Sequence, residues 1–266
     1  MNVIVCVKQV LDPEAPPASF KIDPATNKAV PPPGVPPVIS TFDEYAVEAA
    51  LRIKEAKGGK ITILSMGANM QRDVVKKPLS MGADELILLE DASFVDGDSW
   101  SAAYALSMAI KKIGSYDVIL CGRQAADWDS GQVGSGIAQL LGLPGVTLAR
   151  KIEIVDGKAK VERVVTDGYE VVEVVLPALI TLSNEHDDPR YPNVKGIMTA
   201  KKKEPIVWKP ADIGVDASQV GAAGRRMKLV KLYQPVREGK CEVIGGDKPE
   251  EAATRLATRL REVKVI

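Results

Sequence analysis

The chain has 266 residues, 45% of them apolar and 5% aromatic, which is enough to bury one large core with an appendage or two small ones. Thirty-five basic and thirty-five acidic residues cancel, so no global field recruits nucleic acid or an anionic membrane, and any anion site must be local. With His186 as its one histidine, the chain lacks parts for most Ser/His/Asp, Cys/His and multi-histidine metal schemes.

Cys6, Cys121 and Cys241 have neither metal-ligand spacing nor the even count of a secreted framework, which points to a reducing cytoplasm or matrix, the cytoplasm being the expectation taken, with Cys6 and Cys121 in apolar strands of the core. No targeting leader is read at the amino terminus, and no apolar run approaches the ~18 residues of a spanning helix, so membrane insertion is not expected.

Val3 to Val7 are a continuous apolar run that fits a central parallel strand, with Lys8 and Gln9 at its carboxyl end, where open α/β sheets seat ligands. The proline-dense segments from Asp12 to Ser19 and from Pro31 to Pro37 read as loops, linked by a small hairpin from Lys21 to Val30 that turns at Asn27. Ser40 or Thr41 caps the next helix, with Glu44 as capping-box partner. Lys60 to Ser65 is a strand closed by Met66 and Gly67, Asn69 begins a helix that Pro78 splits, and Glu85 to Leu89 is another strand. Ser99 starts a longer helix whose Lys111 and Lys112 suit its C-terminal dipole.

Tyr116 to Pro144 reads as strand, polar loop and helix. Ser130 is the expected cap, and the helix N-terminus favours an anion. Gly131, Gly134 and Gly136 allow a ligand to approach the backbone, and they equally suit tight helix packing. The alternation of strand and helix to this point argues for a parallel sheet with right-handed crossovers. After Pro144, three strand-like segments joined at Asp156-Gly157 and Asp167-Gly168 form antiparallel hairpins, and Ala178 to Leu182 is one more strand. Asn184 to Lys203 is a polar surface loop of a length that points to function. Ile206 to Gly246 carries no core element and reads as an extended arm that needs a partner. Asp247 and Glu250 then form a capping-box pair for a closing helix whose Ala252, Ala253, Leu256 and Leu260 share a face.

Six ordered motifs, VCVKQV, EYAVEAALRIKE, LSMGADELILL, GRQAADWDSGQVG, VERVVTDGYEVVEVVLPALIT and DPRYPNVKGIMTAKKK, resemble the beta subunit of electron-transfer flavoproteins. The likeness runs from Met1 to about Asp216 and is looser beyond. It implies a Rossmann-like α/β adenine-nucleotide-binding domain over 1–205, including an antiparallel β extension and a recognition loop at 184–203. It also implies a C-terminal arm and closing helix over 206–266 that pack on an alpha subunit. The resemblance further implies FAD shared with that subunit, and AMP or a second FAD in the beta-subunit site.

Matched position by position, the nucleotide site uses Cys6, Ser40, Thr41, Phe42, Asp43, Met66, Gly122, Arg123, Gln124, Ala125, Asp127, Asp129, Ser130, Gly131, Gln132, Val133 and Gly134. Arg123 either pairs with a phosphate or is simply solvated; Asp127 and Asp129 face ribose hydroxyls or cap the helix; Trp128, larger than the family residue, shields the nucleotide or packs on the surface. Phe20 and Arg163 are weaker candidates for the flavin environment. The recognition loop, with Tyr191, Val194, Ile197 and Met198, is the implied dock for acyl-CoA or other dehydrogenases, and a quinone reductase or similar protein is the implied acceptor. The resemblance thus implies an electron carrier in a heterodimer, with electron bifurcation open and no bond-breaking residue. Two rivals on the same fold are an ATP-dependent enzyme, which lacks a Walker-type run, and a nucleotide-sensing stress-type protein, which needs no alpha partner.

Overall fold

The computed structural model describes residues 1–235 and 241–266. Its first strand, β1 (Asn2–Val7), runs into the short β2 (Gln9–Val10). A hairpin of β3 (Lys21–Asp23) and β4 (Lys28–Val30) turns at Asn27, whose φ is 55°, and β5 (Val38–Ile39) returns to pair with β2. There follow α1 (Thr41–Lys57), β6 (Lys60–Gly67), the helix pair α2 (Arg72–Val75) and α3 (Lys77–Met81), β7 (Glu85–Glu90), α4 (Ser99–Ile113), β8 (Val118–Gly122) and α5 (Val133–Leu141). The later elements are β9 (Gly145–Val155), β10 (Lys158–Val165), β11 (Gly168–Val175), β12 (Ala178–Leu182), α6 (Val194–Lys202), β13 (Ile206–Trp208), α7 (Gly221–Gly224) and α8 (Pro249–Glu262).

Among the described residues nine strands form one sheet in the order β11-β10-β9-β12-β8-β1-β6-β7-β13. Every pairing is parallel except β9–β10 and β10–β11, the expected antiparallel extension. The central strands are apolar throughout because both faces are covered. Val3, Val5 and Val7 point with Ile61, Ile63 and Leu120 into a core shared with α1, while Ile4, Cys6, Leu64 and Cys121 point into a second core shared with α4 and α5. This period of two, read against helices on each side, is the Rossmann-like α/β arrangement.

Several local expectations are corrected. Ser40 stands at the N-cap of α1 but makes no cap bond, because its hydroxyl accepts the Ala126 N–H instead, and the capping box with Glu44 does not form. The helix before Pro78 starts at Arg72 rather than Asn69, which sits at φ 54°; Pro78 does split the segment, standing in the first turn of α3. The end of the 184–203 segment is helical, as α6 with Asn193 as its cap. The stretch from Ile206 does contain a core element, since β13 adds parallel to β7 and Ile213 and Val220 are buried in the second core. Residues 236–240 of the expected arm lie outside the described residues. At α8, Lys248 holds the N-cap without a side-chain bond, and no capping box joins Asp247 to Glu250.

By its contacts the chain divides into Met1–Lys231 and Leu232–Ile266. In the first unit Asp98 caps α4, its Oδ1 accepting the N–H groups of Trp100 and Ser101, and its Oδ2 accepts those of Arg226 and Met227 from the segment after α7. Burial raises its pKa, but these four N–H bonds outweigh that and hold the carboxyl below the usual range. The second unit contains α8, none of whose residues is buried. No helix among the described residues is long and apolar enough to cross a membrane.

Candidate functional site

The carboxyl ends of β1, β6 and β8, adjacent in the sheet, open on one edge beneath the start of α1 and the loop before α5. Asp43 joins three of these segments. It is 7% exposed, and its Oδ2 accepts the Lys8 N–H at 2.8 Å while its Oδ1 accepts the Gly122 N–H at 3.1 Å. Burial pushes its carboxyl up to about 7 against the opposing pull of these two bonds. Gly122 is required here, since a Cβ would stand 2.5 Å from Asp43 Oδ1 and 2.7 Å from the Phe42 carbonyl carbon. Ser40 completes the junction, its N–H donating to the Lys8 carbonyl at 2.9 Å.

Over this base the loop from Arg123 to Gln132 is fixed by a few bonds. The Arg123 N–H donates to the Leu182 carbonyl, and its guanidinium lies 4.9 Å from the centre of the Phe42 ring. Asp127 is paired with Lys8 Nζ at 2.7 Å, and Asp129, at φ 51°, accepts from Gln124 Nε2 at 2.7 Å while its N–H donates to the Ala125 carbonyl. Neither aspartate caps a helix; Trp128 between them is exposed. Ser130 does not cap α5 either: its hydroxyl bonds that of Ser99 at 2.9 Å, and the helix begins later, at Val133, with Gln132 as an N-cap that gives no side-chain bond. The first N–H groups of α5 therefore have neither an intrahelical acceptor nor a side-chain cap.

The glycines of this loop divide by role. Gly131 has φ 63°, and a Cβ there would meet only the Arg123 carbonyl oxygen, at 3.6 Å. Gly134 and Gly136 serve packing, because a Cβ would lie 2.7 Å from Thr181 Cγ2 at the first and 2.8 Å from Ala103 Cβ at the second. Thr41, Met66 and Val133 are half-buried around the cleft. Cys6 sits opposite Cys121 in the second core; a hydrogen bond from Cys6, together with burial, pushes the Cys121 thiol well up, so Cys121 stays protonated. The structure thus brings the loop residues 123–132 and the strand ends to one sheet edge beside Lys8, while Cys6 lies in the core and Gly134 packs on Thr181. The signal for Lys8 was present, since a lysine directly after a buried strand stands at the ligand end of an open sheet.

The second predicted site is α6. Tyr191, Val194, Ile197 and Met198 are all exposed, while Ala200 is buried against the first core and Gly196 lies so close to α3 that a Cβ would stand 2.2 Å from the Ser80 carbonyl oxygen. Two features here went unread in the sequence: the charge cluster of Glu48, Arg52, Glu55 and Arg190, and the burial of His186, which lowers its pKa. Among the described residues no group of three acidic, cysteine or histidine side chains could hold a metal ion.

Residues 34–213 match the electron transfer flavoprotein domain family. Over the whole length of both chains the sequence is 42% identical to the electron transfer flavoprotein subunit beta of Thermoanaerobacterium thermosaccharolyticum. It is 40% identical, again end to end, to subunit CarD of the caffeyl-CoA reductase-Etf complex of Acetobacterium woodii. Protein FixA of Azorhizobium caulinodans is 36% identical over 88% of this chain and 85% of its own. A mostly parallel α/β sheet, a cleft at its strand ends and end-to-end similarity to beta subunits together make the chain a member of the electron transfer flavoprotein family, on the beta-subunit side.

Proposed function

We propose that the chain binds an adenine nucleotide, AMP or a second FAD, in the cleft at the ends of β1, β6 and β8, and joins an alpha subunit with which it shares the electron-carrying FAD. The observation that carries the nucleotide reading is the uncapped N-terminus of α5 behind the left-handed Gly131, with Lys8 and Arg123 beside the same loop. Of the two loop aspartates, Asp127 is offset by its ion pair with Lys8, and Asp129 is held on Gln124, so Arg123 and the α5 N–H groups are the donors left for an anion. A phosphate would sit against the α5 N–H groups, with Asp43 and Gly122 fixing the floor and Phe42 offering an apolar face. FAD supplies the redox chemistry when bound; this chain supplies position and electrostatics.

Two observations favour a partner beyond the cleft. Arg163 Nε on β10 is buried without a hydrogen-bond partner among the described residues, which fits a shared flavin environment completed by another subunit. The exposed apolar side chains of α6 fit docking of an acyl-CoA or other dehydrogenase as electron donor, with a quinone reductase or similar protein as acceptor. Similarity to a subunit of a reductase-Etf complex supports electron bifurcation as a variant of this role, and the family favours both over an ATP-dependent enzyme or a stand-alone nucleotide sensor.

The test is to purify the heterodimer and extract its cofactors. About one FAD with AMP per heterodimer is expected of a simple carrier, and about two FAD of a bifurcating one. A folded heterodimer holding one FAD and no further adenine nucleotide overturns the cleft assignment. In the same assay Gly131→Val is expected to lose the second nucleotide, since a β-branched residue does not tolerate this φ.

A further inference from the structure

The apolar ridge of α6 is exposed, yet the chain leading into it is among the most firmly attached segments of the surface. Glu48, on α1, is 1% exposed, and both of its carboxylate oxygens are filled. Oε2 accepts the Arg190 backbone N–H at 3.1 Å and its Nε at 2.8 Å; Oε1 accepts Arg190 Nη2 at 2.9 Å and Arg52 Nε at 2.8 Å. Glu55, two turns further along α1, takes Arg190 Nη1 and also Nη2, the latter at 3.2 Å. Arg52 reaches back to Asp187 at 2.8 Å. One guanidinium therefore spends all three of its nitrogens on two carboxylates of one helix, a planar fork that lysine cannot reproduce.

From Arg190 only Tyr191, Pro192 and Asn193 intervene before Val194, a span of at most about 14 Å, and Asn193 caps α6 through the Gly196 N–H at 2.8 Å. The far end of the helix is tied separately, by Lys203 Nζ to the Asp84 carbonyl at 2.8 Å. Exposed apolar side chains lose affinity if the backbone carrying them must be ordered on binding. We propose that Arg190, locked on Glu48 and Glu55, is a positioning residue that pre-sets the α6 ridge for its electron-donating partner. This rests on the docking reading of α6. Arg190 is bound to α1 rather than to the cleft, and it acts by fixing where Val194, Ile197 and Met198 stand. The N-terminal end of the same α1 carries Asp43 and Phe42, so the ridge is registered to the rigid part of the molecule that also forms the cleft.

The experiment uses the whole heterodimer and a purified acyl-CoA dehydrogenase that reduces the wild-type protein, with dithionite as the small reductant. Arg190→Ala is expected to raise the apparent KM for the dehydrogenase roughly tenfold with kcat, flavin content and dithionite reduction unchanged. Val194→Ala with Ile197→Ala should do the same, and adding Arg190→Ala to that pair should cost little more, because one ridge is lost only once. If the alanine pair raises KM and Arg190→Ala does not, positioning by Arg190 is wrong while docking on α6 stands. If neither raises KM, the docking reading fails and takes this inference with it. Equal impairment with dithionite, or loss of flavin, would give Arg190 a purely structural role and overturn the proposal. Should Arg190→Ala not assemble, Arg190→Lys, which keeps the charge but not the fork, carries the same comparison, with an intermediate rise in KM expected and an unchanged KM counting against it.

Discussion

Asp43 keeps its proton to a pH near 7, where an exposed aspartate would have lost it three units earlier. Its value rises from 3.8 in the unfolded chain to about 7 in the fold, so between those limits the native state binds the extra proton. Its contribution therefore disfavours the fold progressively as pH rises from 4 to 7, and is absent below that window. A carbon-13 titration of the Asp43 carboxyl should show a midpoint near 7, and a midpoint near 4 would refute the assignment. Asp43→Asn should flatten stability across this window and cost about 1–3 kcal/mol, since an amide can accept from Lys8 or Gly122 but then turns a donor toward the other. The sequence marks Asp43 as a residue of the nucleotide site; it does not reveal that both oxygens are taken by backbone N–H groups 35 and 79 residues away. Such long-range polar bonds leave no local pattern.

At the scale of elements, Gly196 and Gly136 are where one helix closely approaches another, α6 on α3 and α5 on α4. Gly196→Ala would drive a methyl group into the Ser80 carbonyl, and an overpacking cost of about 1–3 kcal/mol is expected, visible as a lowered thermal midpoint and faster proteolysis across α6. An unchanged midpoint would mean that α3 and α6 separate freely. The strands were legible because parallel strands covered on both faces are continuous apolar runs, as Val3 to Val7 and Val118 to Cys121 are. The cap bonds were less so: Ser99 was read as the start of α4, but Ser40 and Ser130 look like caps while each hydroxyl is drawn to a distant group, Ala126 and Ser99. α6 was hidden by its polar composition and the two prolines before it; only Ala200 of its nine residues is buried.

Across the whole molecule, every buried apolar residue among those described lies within Met1–Lys231. Removing Leu232–Ile266 should therefore move the thermal midpoint of the remaining chain by only a few degrees, each ~1 kcal/mol being worth about 2–4 °C at this size, while assembly with an alpha subunit is lost. A collapse of the midpoint would show that the last 35 residues complete the core. The sheet order and its antiparallel extension follow from the alternation of strand, helix and hairpin signals. The end of the sheet does not, because β13 has three residues and takes its partner, β7, from more than a hundred residues back. Three residues are too few for a period to declare itself.

Asp98 has a mechanical consequence. The segment after α7 is exposed, and the Arg226 and Met227 N–H groups converge on one oxygen of a carboxylate whose other oxygen holds the first turn of α4. Such a fastening is a latch, with Asp98 as its pin and the Arg226 guanidinium, 3.4 Å from the centre of the Trp100 ring, lying over the same helix start. A zipper of separate bonds frays from its end by degrees; a latch is either closed or open, and when it opens it frees the start of a helix and the root of the C-terminal segment in the same stroke.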